Sequence, residues 1–207
     1  MKTILSLLLL LITIRSVAQE STASIEHMNM NVLYRGFDNK IVIGSGDTDF
    51  SRLYISAHNA TATLNGDHYV VRPGNGKTAT LEIIAVKDDG TEVTLRSKEF
   101  RISNLPDPKL YWGWAESGKA VQNQKPVLSA GYGKYYPFDP EFNVTSWEAM
   151  YNGEMFSGEG QYIAAIDDIL QNFTELTEFT IEAMVKGPDG ISRKISGTWF
   201  VRPMLEE

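Results

Sequence analysis

Hydrophobic and polar positions alternate in short runs along most of this chain, and a period of two marks half-buried strands. Met28, Met30, Val32 and Tyr34 alternate with Asn29, Asn31 and Arg35. That run stops at Gly36, passes an Asp38-Asn39 pair, and resumes as Lys40-Ile41-Val42-Ile43. "RLYISA" (52–57), "HYVVR" (68–72), "ATLEIIAV" (79–86), "TEVTLRSKEFRIS" (91–103), "TEFTIEAMVK" (177–186) and "SRKISGTWFV" (192–201) also read as strands. Turn residues separate them: Asn65-Gly66, Gly74-Asn75-Gly76, Asp88-Asp89-Gly90, Asn152-Gly153 and Gly187-Pro188-Asp189-Gly190. Asn-Gly and Asp-Gly supply the positive φ of tight hairpins. Short strands with frequent turns predict antiparallel sandwiches.

One helix is predicted over 162–173. Ile163, Ile166, Leu170 and Phe173 make one apolar stripe there, with Asp167, Asp168 and Gln171 off it. Pro106 and Pro108 cannot continue a ladder, so "NLPDPKL" (104–110) reads as a boundary. The predicted fold class is all-β. It has two tandem antiparallel immunoglobulin-like β-sandwich domains, 22–105 and 109–203, the second carrying the short helix.

Residues 1–18 read as a cleavable signal peptide. Lys2 precedes a mostly apolar run, Ile4–Ile14, and Ser16 and Ala18 give a small-residue cleavage site. A membrane helix needs about 20 apolar residues, and no second apolar run follows, so no transmembrane segment is expected in the mature chain. The formal net charge is −7, and losing Lys2 and Arg15 leaves 17 basic against 26 acidic residues, a net of −9. Such a surface repels nucleic acid, and no Lys/Arg cluster offsets it. There is no cysteine, so thiol chemistry and thiolate metal sites are excluded and packing must stabilise the fold.

Other motifs have structural readings. "GNGKT" (74–78) lacks the upstream glycine of a phosphate loop and is followed by a strand pattern, so it reads as a hairpin. Asp167-Asp168 diverge on a helix and read as a solvated face. Asp47 and Asp49 lie in a polar loop without the spacing of a calcium loop. Asp107 reads as a linker residue. His27, His58 and His68 are scattered, and no G-x-S-x-G elbow presents a serine. Asn59, Asn143 and Asn172 each sit in N-x-T, a glycan acceptor only in a eukaryotic secretory pathway. No enzyme, cofactor or metal site is expected. Two stretches stand out: "KLYWGWAESGK" (109–119) and "GYGKYYPFDP" (131–140). Trp112, Trp114, Tyr135 and Tyr136 are candidate partner-binding aromatics, or else fill the second core.

"NVLYRGFDN" followed by "KIVI" resembles the third periplasmic domain of the gliding-motility protein GldM, of the type IX secretion system. In that family Pro usually stands where this chain has Lys40. "HYVVRPGNGKTATLEIIAV" (68–86) resembles a hairpin of that domain, "EFRISNLPDPKL" (99–110) the family's interdomain junction and "IEAMVKGPDGISRKI" (181–195) the hairpin that closes its C-terminal domain, in the same order, so that 109–203 resembles that last domain. The resemblance implies a non-enzymatic, soluble periplasmic protein–protein interaction module. Its implied partners are envelope proteins of the secretion and gliding apparatus, and a homodimer is among the implied assemblies. A small-ligand or carbohydrate-binding sandwich is the alternative reading of the aromatic loops.

Overall fold

The computed structural model describes residues 23–26, 31–46, 51–122, 127–136, 138–166 and 175–202, without the side chains of 26, 122 and 165. The leader at 1–18 lies outside them. The described residues are almost entirely strands and turns, as expected for an all-β chain.

The N-terminal half carries β1 (Ala23–Glu26), β2 (Val32–Tyr34), β3 (Asn39–Ser45), β4 (Arg52–His58), β5 (Ala60–Asn65), β6 (His68–Pro73), β7 (Thr78–Val86) and β8 (Glu92–Ser103). They form two four-stranded sheets, ordered β1-β3-β6-β5 and β2-β8-β7-β4. This is immunoglobulin-type connectivity, with the opening strand divided between the sheets. All pairings are antiparallel except β2 with β8. One hydrophobic cluster unites the sheets. Ile25, Ile41, Tyr69 and Val71 come from one, and Leu33, Ile55, Leu81, Ile83 and Phe100 from the other.

The C-terminal half carries β9 (Lys109–Trp112), β10 (Ala115–Glu116), β11 (Ala120–Gln122), β12 (Leu128–Gly131), β13 (Asn143–Tyr151), β14 (Glu154–Glu159), β15 (Thr177–Lys186) and β16 (Ser192–Arg202). Their sheets are ordered β10-β9-β12 and β11-β16-β15-β13-β14. A second cluster lies between them, built on Leu110, Trp112, Leu128, Trp147, Phe179, Ile181, Trp199 and Val201. Asn152 and Gly153 both take positive φ, 50° and 82°, between the paired Tyr151 and Glu154. That is the backbone a two-residue type I′ hairpin requires.

Two expectations change. The α-helix over 162–173 is not seen. Ala164–Ile166 forms one 3-10 turn, Ile166 N donating to Ile163 O at 3.1 Å, and 167–174 lie outside the described residues. Tyr162 bridges Val127, and Leu128 N donates to Gln161 O at 2.8 Å. Strand-like pairing therefore holds the residues where the helix would start. Ile163 and Ile166 are both fully buried, as three residues per turn allows. "GNGKT" is not a hairpin. It carries the chain from β6 in one sheet to β7 in the other, because β6 is already paired on both sides.

The break after Tyr34 is also a crossing between sheets. β2 and β3 lie in opposite sheets, and residues 35–38 carry the chain across. Asn39 fastens this crossing. Its Oδ1 accepts from Tyr34 N at 2.8 Å, and its Nδ2 donates to the carbonyls of Tyr34, Phe37 and Val71, each at 3.0 Å. The residue is 1% exposed. In β2 it is Leu33 that is fully buried, while Val32 and Tyr34, the expected inward face, are half-buried on the other side. Truncating Asn39 would leave buried backbone groups without partners, at about 1–3 kcal/mol. Asn39→Ala should lower the unfolding free energy by that amount, read in urea as a lower midpoint with an unchanged slope.

Candidate partner-binding surface

The expected aromatic residues part company in the structure. Trp112 is in the core, 4% exposed, with its ring edge-on to Phe179 at 6.1 Å and Trp199 at 5.8 Å. No partner can reach it. Trp114, two residues on, is fully exposed. Trp112 and Ala115 pair, so Gly113 and Trp114 alone make the connection, and Gly113 takes φ 57°. A glycine at the first position of a two-residue hairpin suits its backbone. Gly113 N donates to Val127 O at 2.8 Å, and Trp199 Nε1 donates to Ala115 O at 3.0 Å. The apex is thus held from both sides while the Trp114 ring stands in water.

Tyr135 and Tyr136 follow β12. Gly133 has φ 84°, and Tyr136 N donates to Gly133 O at 3.2 Å, closing a turn with Tyr135 at its apex. Tyr135 is 96% and Tyr136 48% exposed. Tyr136 stacks on Tyr132 at 4.6 Å between ring centroids. Leu128 pairs with Trp112 at one end of the β9–β12 ladder, and Gly131 with Lys109 at the other. Trp114 and Tyr135 extend from these opposite ends, so they are separated by at least about 10 Å of strand.

The Tyr136 ring belongs to a larger aromatic group. Phe138 lies 5.2 Å from Tyr34, 5.2 Å from Phe37, 5.5 Å from Tyr132 and 5.4 Å from Tyr136. Tyr34 and Phe37 flank the β2–β3 crossing, so the opening motif packs on the second cluster. Gly36, at φ 64°, faces the β15–β16 turn so closely that a Cβ would lie 2.1 Å from Pro188 O.

Beneath the aromatics lies an ion pair. Arg193, on β16, donates through Nη2 to Asp189 Oδ2 at 2.5 Å and through Nη1 to Asp189 Oδ1 at 3.0 Å. The two side chains are 6% and 0% exposed. Arg193 also donates to Leu105 O at 2.6 Å and, through Nε, to Asp107 Oδ1 at 3.1 Å. Asp189 Oδ2 accepts from Leu105 N at 3.0 Å, and the Tyr132 hydroxyl donates to Pro106 O at 2.6 Å. Burial alone would raise the Asp189 carboxyl. Hydrogen bonds from Arg193 and the Ile191 and Leu105 amides outweigh that and hold it below its ordinary 3.8. The same pairing raises Arg193, and burial pushes the Tyr132 hydroxyl up.

Sequence reasoning missed this junction. It read Asp107 as a plain linker residue and did not single out Tyr34, Phe37, Phe138, Asp189 or Arg193. The available signal was the pair of aromatics three apart around a glycine, "YRGF".

The other candidates are dispersed. Asp38 pairs with Arg72 at 2.6 Å on the surface. His68 Nδ1 lies 2.9 Å from Asp67, and His58 lies 3.8 Å from Glu82. Asn59, at φ 55°, donates to Thr78 O at 2.7 Å, and Asn143 opens β13. His27, Asp47, Asp49, Asp167, Asp168 and Asn172 lie outside the described residues. Among the described residues, no group of three or more His, Cys, Asp or Glu could hold a metal ion, and no helix is long and apolar enough to cross a membrane.

Residues 22–103 match the family model described as the GldM third domain. The expected resemblance is shown on that segment, including the crossing and its Asn39. Comparison with curated proteins finds no match. Among solved structures, the chain is similar to the fibronectin(III)-like modules of CbhA from Clostridium thermocellum. The identity is 15% and the TM-score 0.31, covering 90% of this chain and 97% of that one. It is also similar to domains 4 and 5 of the S-layer protein SbsC, with 15% identity and TM-score 0.29, covering 89% and 100%. With likeness this low, the fold assignment rests on strand topology alone.

Truncating one partner of a buried ion pair costs about 3–5 kcal/mol. Arg193→Ala should therefore lower chemical stability by that order, whereas Lys194→Ala, whose Nζ meets Glu182 at 2.6 Å on the exposed face, should cost under about 1 kcal/mol. Asp189 has a lowered pKa, so its contribution is complete above about 3.8 and is lost as pH falls through the lower folded value. Melting curves of wild type and Asp189→Asn should converge below pH 3.8.

Proposed function

We propose that this chain, a GldM third domain followed by a second β-sandwich, is a non-enzymatic interaction module of the type IX secretion and gliding machinery. In this reading residues 1–18 direct export, the mature protein works in the periplasm, and domains 22–105 and 109–203 meet at the Arg193–Asp189 pair. Its partner is an envelope protein of that apparatus. The family of residues 22–103 supports the setting. The observation that carries the contact is Trp114, a fully exposed tryptophan on a two-residue apex braced from both sides.

A tryptophan buries about 150–250 Å2 when covered, which releases on the order of 4–6 kcal/mol at 25 cal/mol/Å2. A braced apex loses little conformational entropy on binding. Tyr135 and Tyr136 form a second patch at the other end of the ladder. Trp112 supports the apex from within. A sugar-binding platform needs rings on one face, and separation of Trp114 from Tyr135 favours protein contact over that alternative.

The test uses the full mature chain as bait on a periplasmic extract, with bound proteins identified by mass spectrometry. Trp114→Ala should weaken capture of a secretion component by about 30-fold or more, the scale of an interface hot spot, with unchanged melting temperature. Trp112→Ala should instead unfold the C-terminal half. Unaltered capture by Trp114→Ala, or capture of no envelope component by wild type, would overturn the proposal.

A further inference from the structure

The five-stranded C-terminal sheet has an outer face that the second cluster does not use. Alternation sends Trp147 and Ala149 of β13 and Ala183 of β15 inward, so Glu148, Met150 and Glu182 point outward. Met150 pairs with Met155 of β14, and the two are 58% and 64% exposed. Beside this pair the face sinks into a hollow of about 370 Å3, lined by Ser146, Glu148, Ser157, Glu159, Glu182 and Met184 and bordered by Lys194.

The charges in the hollow do not balance. Glu148 lies directly opposite Glu182 in the β13–β15 ladder. Glu159 lies opposite Ser146, diagonal to Glu148. Like charges so placed repel each other. Lys194 meets Glu182 at 2.6 Å, and Glu148 adds only a weaker pull on that ammonium. Among the described residues, neither Glu148 nor Glu159 has an ion pair of its own. A face that only shielded the core would gain nothing from three carboxylates around one lysine.

We infer that this face docks an extended, cationic protein segment, one with a lysine or arginine and an apolar residue two positions apart. The cationic head enters the hollow between Glu148 and Glu159, and its methylene stem lies on Met184. Two residues of extended chain span about 7 Å, which is also the offset along β13 from Glu148 to Met150. The apolar side chain therefore covers the Met150–Met155 pair, and methionine adapts to the shape it meets. Charge complementarity selects this occupant. A second copy of this chain would set carboxylate against carboxylate, and an anionic lipid surface is repelled. A bare metal ion finds no cluster of three acidic or histidine ligands among the described residues, and it leaves the methionines uncovered. Trp114 lies on the other sheet, between β9 and β10, so this site does not depend on the Trp114 contact.

The test titrates the mature chain with the amide-capped peptide Thr-Arg-Thr-Leu-Thr and follows backbone amides by nuclear magnetic resonance. Shifts should cluster at Ser146, Glu148, Ser157 and Met184, and Thr-Glu-Thr-Leu-Thr should cause none. Glu148→Gln with Glu159→Gln should weaken binding about tenfold, as the loss of two exposed ion pairs allows. The same variant should melt no lower than wild type, because it relieves the repulsion from Glu182. Met155→Thr should weaken the leucine peptide and leave Thr-Arg-Thr-Thr-Thr unaffected. Glu148→Lys with Glu159→Lys should lose the arginine peptide and admit the glutamate peptide, which a merely misfolded variant cannot do. The inference would be overturned by shifts that magnesium chloride or free arginine reproduces at equal concentration, or by equal binding of the glutamate peptide to wild type. Undiminished binding or a lowered melting temperature in the glutamine variant would overturn it too.

Discussion

The buried pair of Arg193 and Asp189 is the interaction on which the relation between the two halves depends. Two opposite charges away from water gain little over an apolar pair, because desolvation offsets most of their attraction. What they supply is position. The guanidinium and carboxylate between them take the Leu105 carbonyl, the Leu105 amide and the Asp107 carboxylate. Tyr132 takes the Pro106 carbonyl. Pro106 and Pro108 have no amide hydrogen to satisfy. The polar groups of the connection are therefore largely committed, in a chain with no disulfide to constrain it.

Around that pair the contact is aromatic and close. Tyr34 and Phe37 reach Phe138 from either side of Gly36. Gly187 is likewise small for a reason: a Cβ there would lie 2.7 Å from Asp189 Oδ1 and 2.8 Å from Arg193 Nη1. The β2–β3 crossing thus performs two tasks. Inward, Asn39 ties it to β6 and permits the switch of sheets. Outward, its aromatic residues meet the second cluster. A flexible hinge would leave such side chains solvated, and their burial argues for a joined pair.

Local pattern revealed half of the strands, β2–β4, β6–β8, β15 and β16, because alternation and turn chemistry act over a few residues. "HYVVR", "ATLEIIAV" and "TEFTIEAMVK" became β6, β7 and β15. What escaped was long-range. β13, "NVTSWEAMY", was not picked out, and its Trp147 sits under Gly158 of β14, where a Cβ would lie 2.7 Å from the ring. Whether "GNGKT" joined neighbours or crossed sheets depended on which edges of β6 were already taken. Leu33 rather than Tyr34 faces the first core because Tyr34 is claimed by a ring 104 positions away, Phe138. The aromatic stretches were legible as unusual. Which ring was core and which was exposed depended on one glycine: Trp112 precedes Gly113 in the ladder, and Trp114 follows it at the apex.

The two halves show how a common turn becomes a socket. Residues 87–91 and 187–191 close the β7–β8 and β15–β16 hairpins with the same bonds. Lys87 N donates to Thr91 O at 2.9 Å, and Gly187 N to Ile191 O at 3.0 Å. Gly90 and Gly190 take φ 81° and 78°. Asp89 accepts from Thr91 N, and Asp189 from Ile191 N, each two residues on. The turns then diverge in chemistry. Two residues past the first stands Val93, and two past the second stands Arg193. With valine there, Asp89 remains a surface turn residue. With arginine there, the aspartate is buried and charged, and its spare oxygen faces the Leu105 amide. Position 187 must then be glycine to admit the guanidinium, while position 87 keeps a lysine. A turn that elsewhere only reverses the chain thereby holds the connection between the halves.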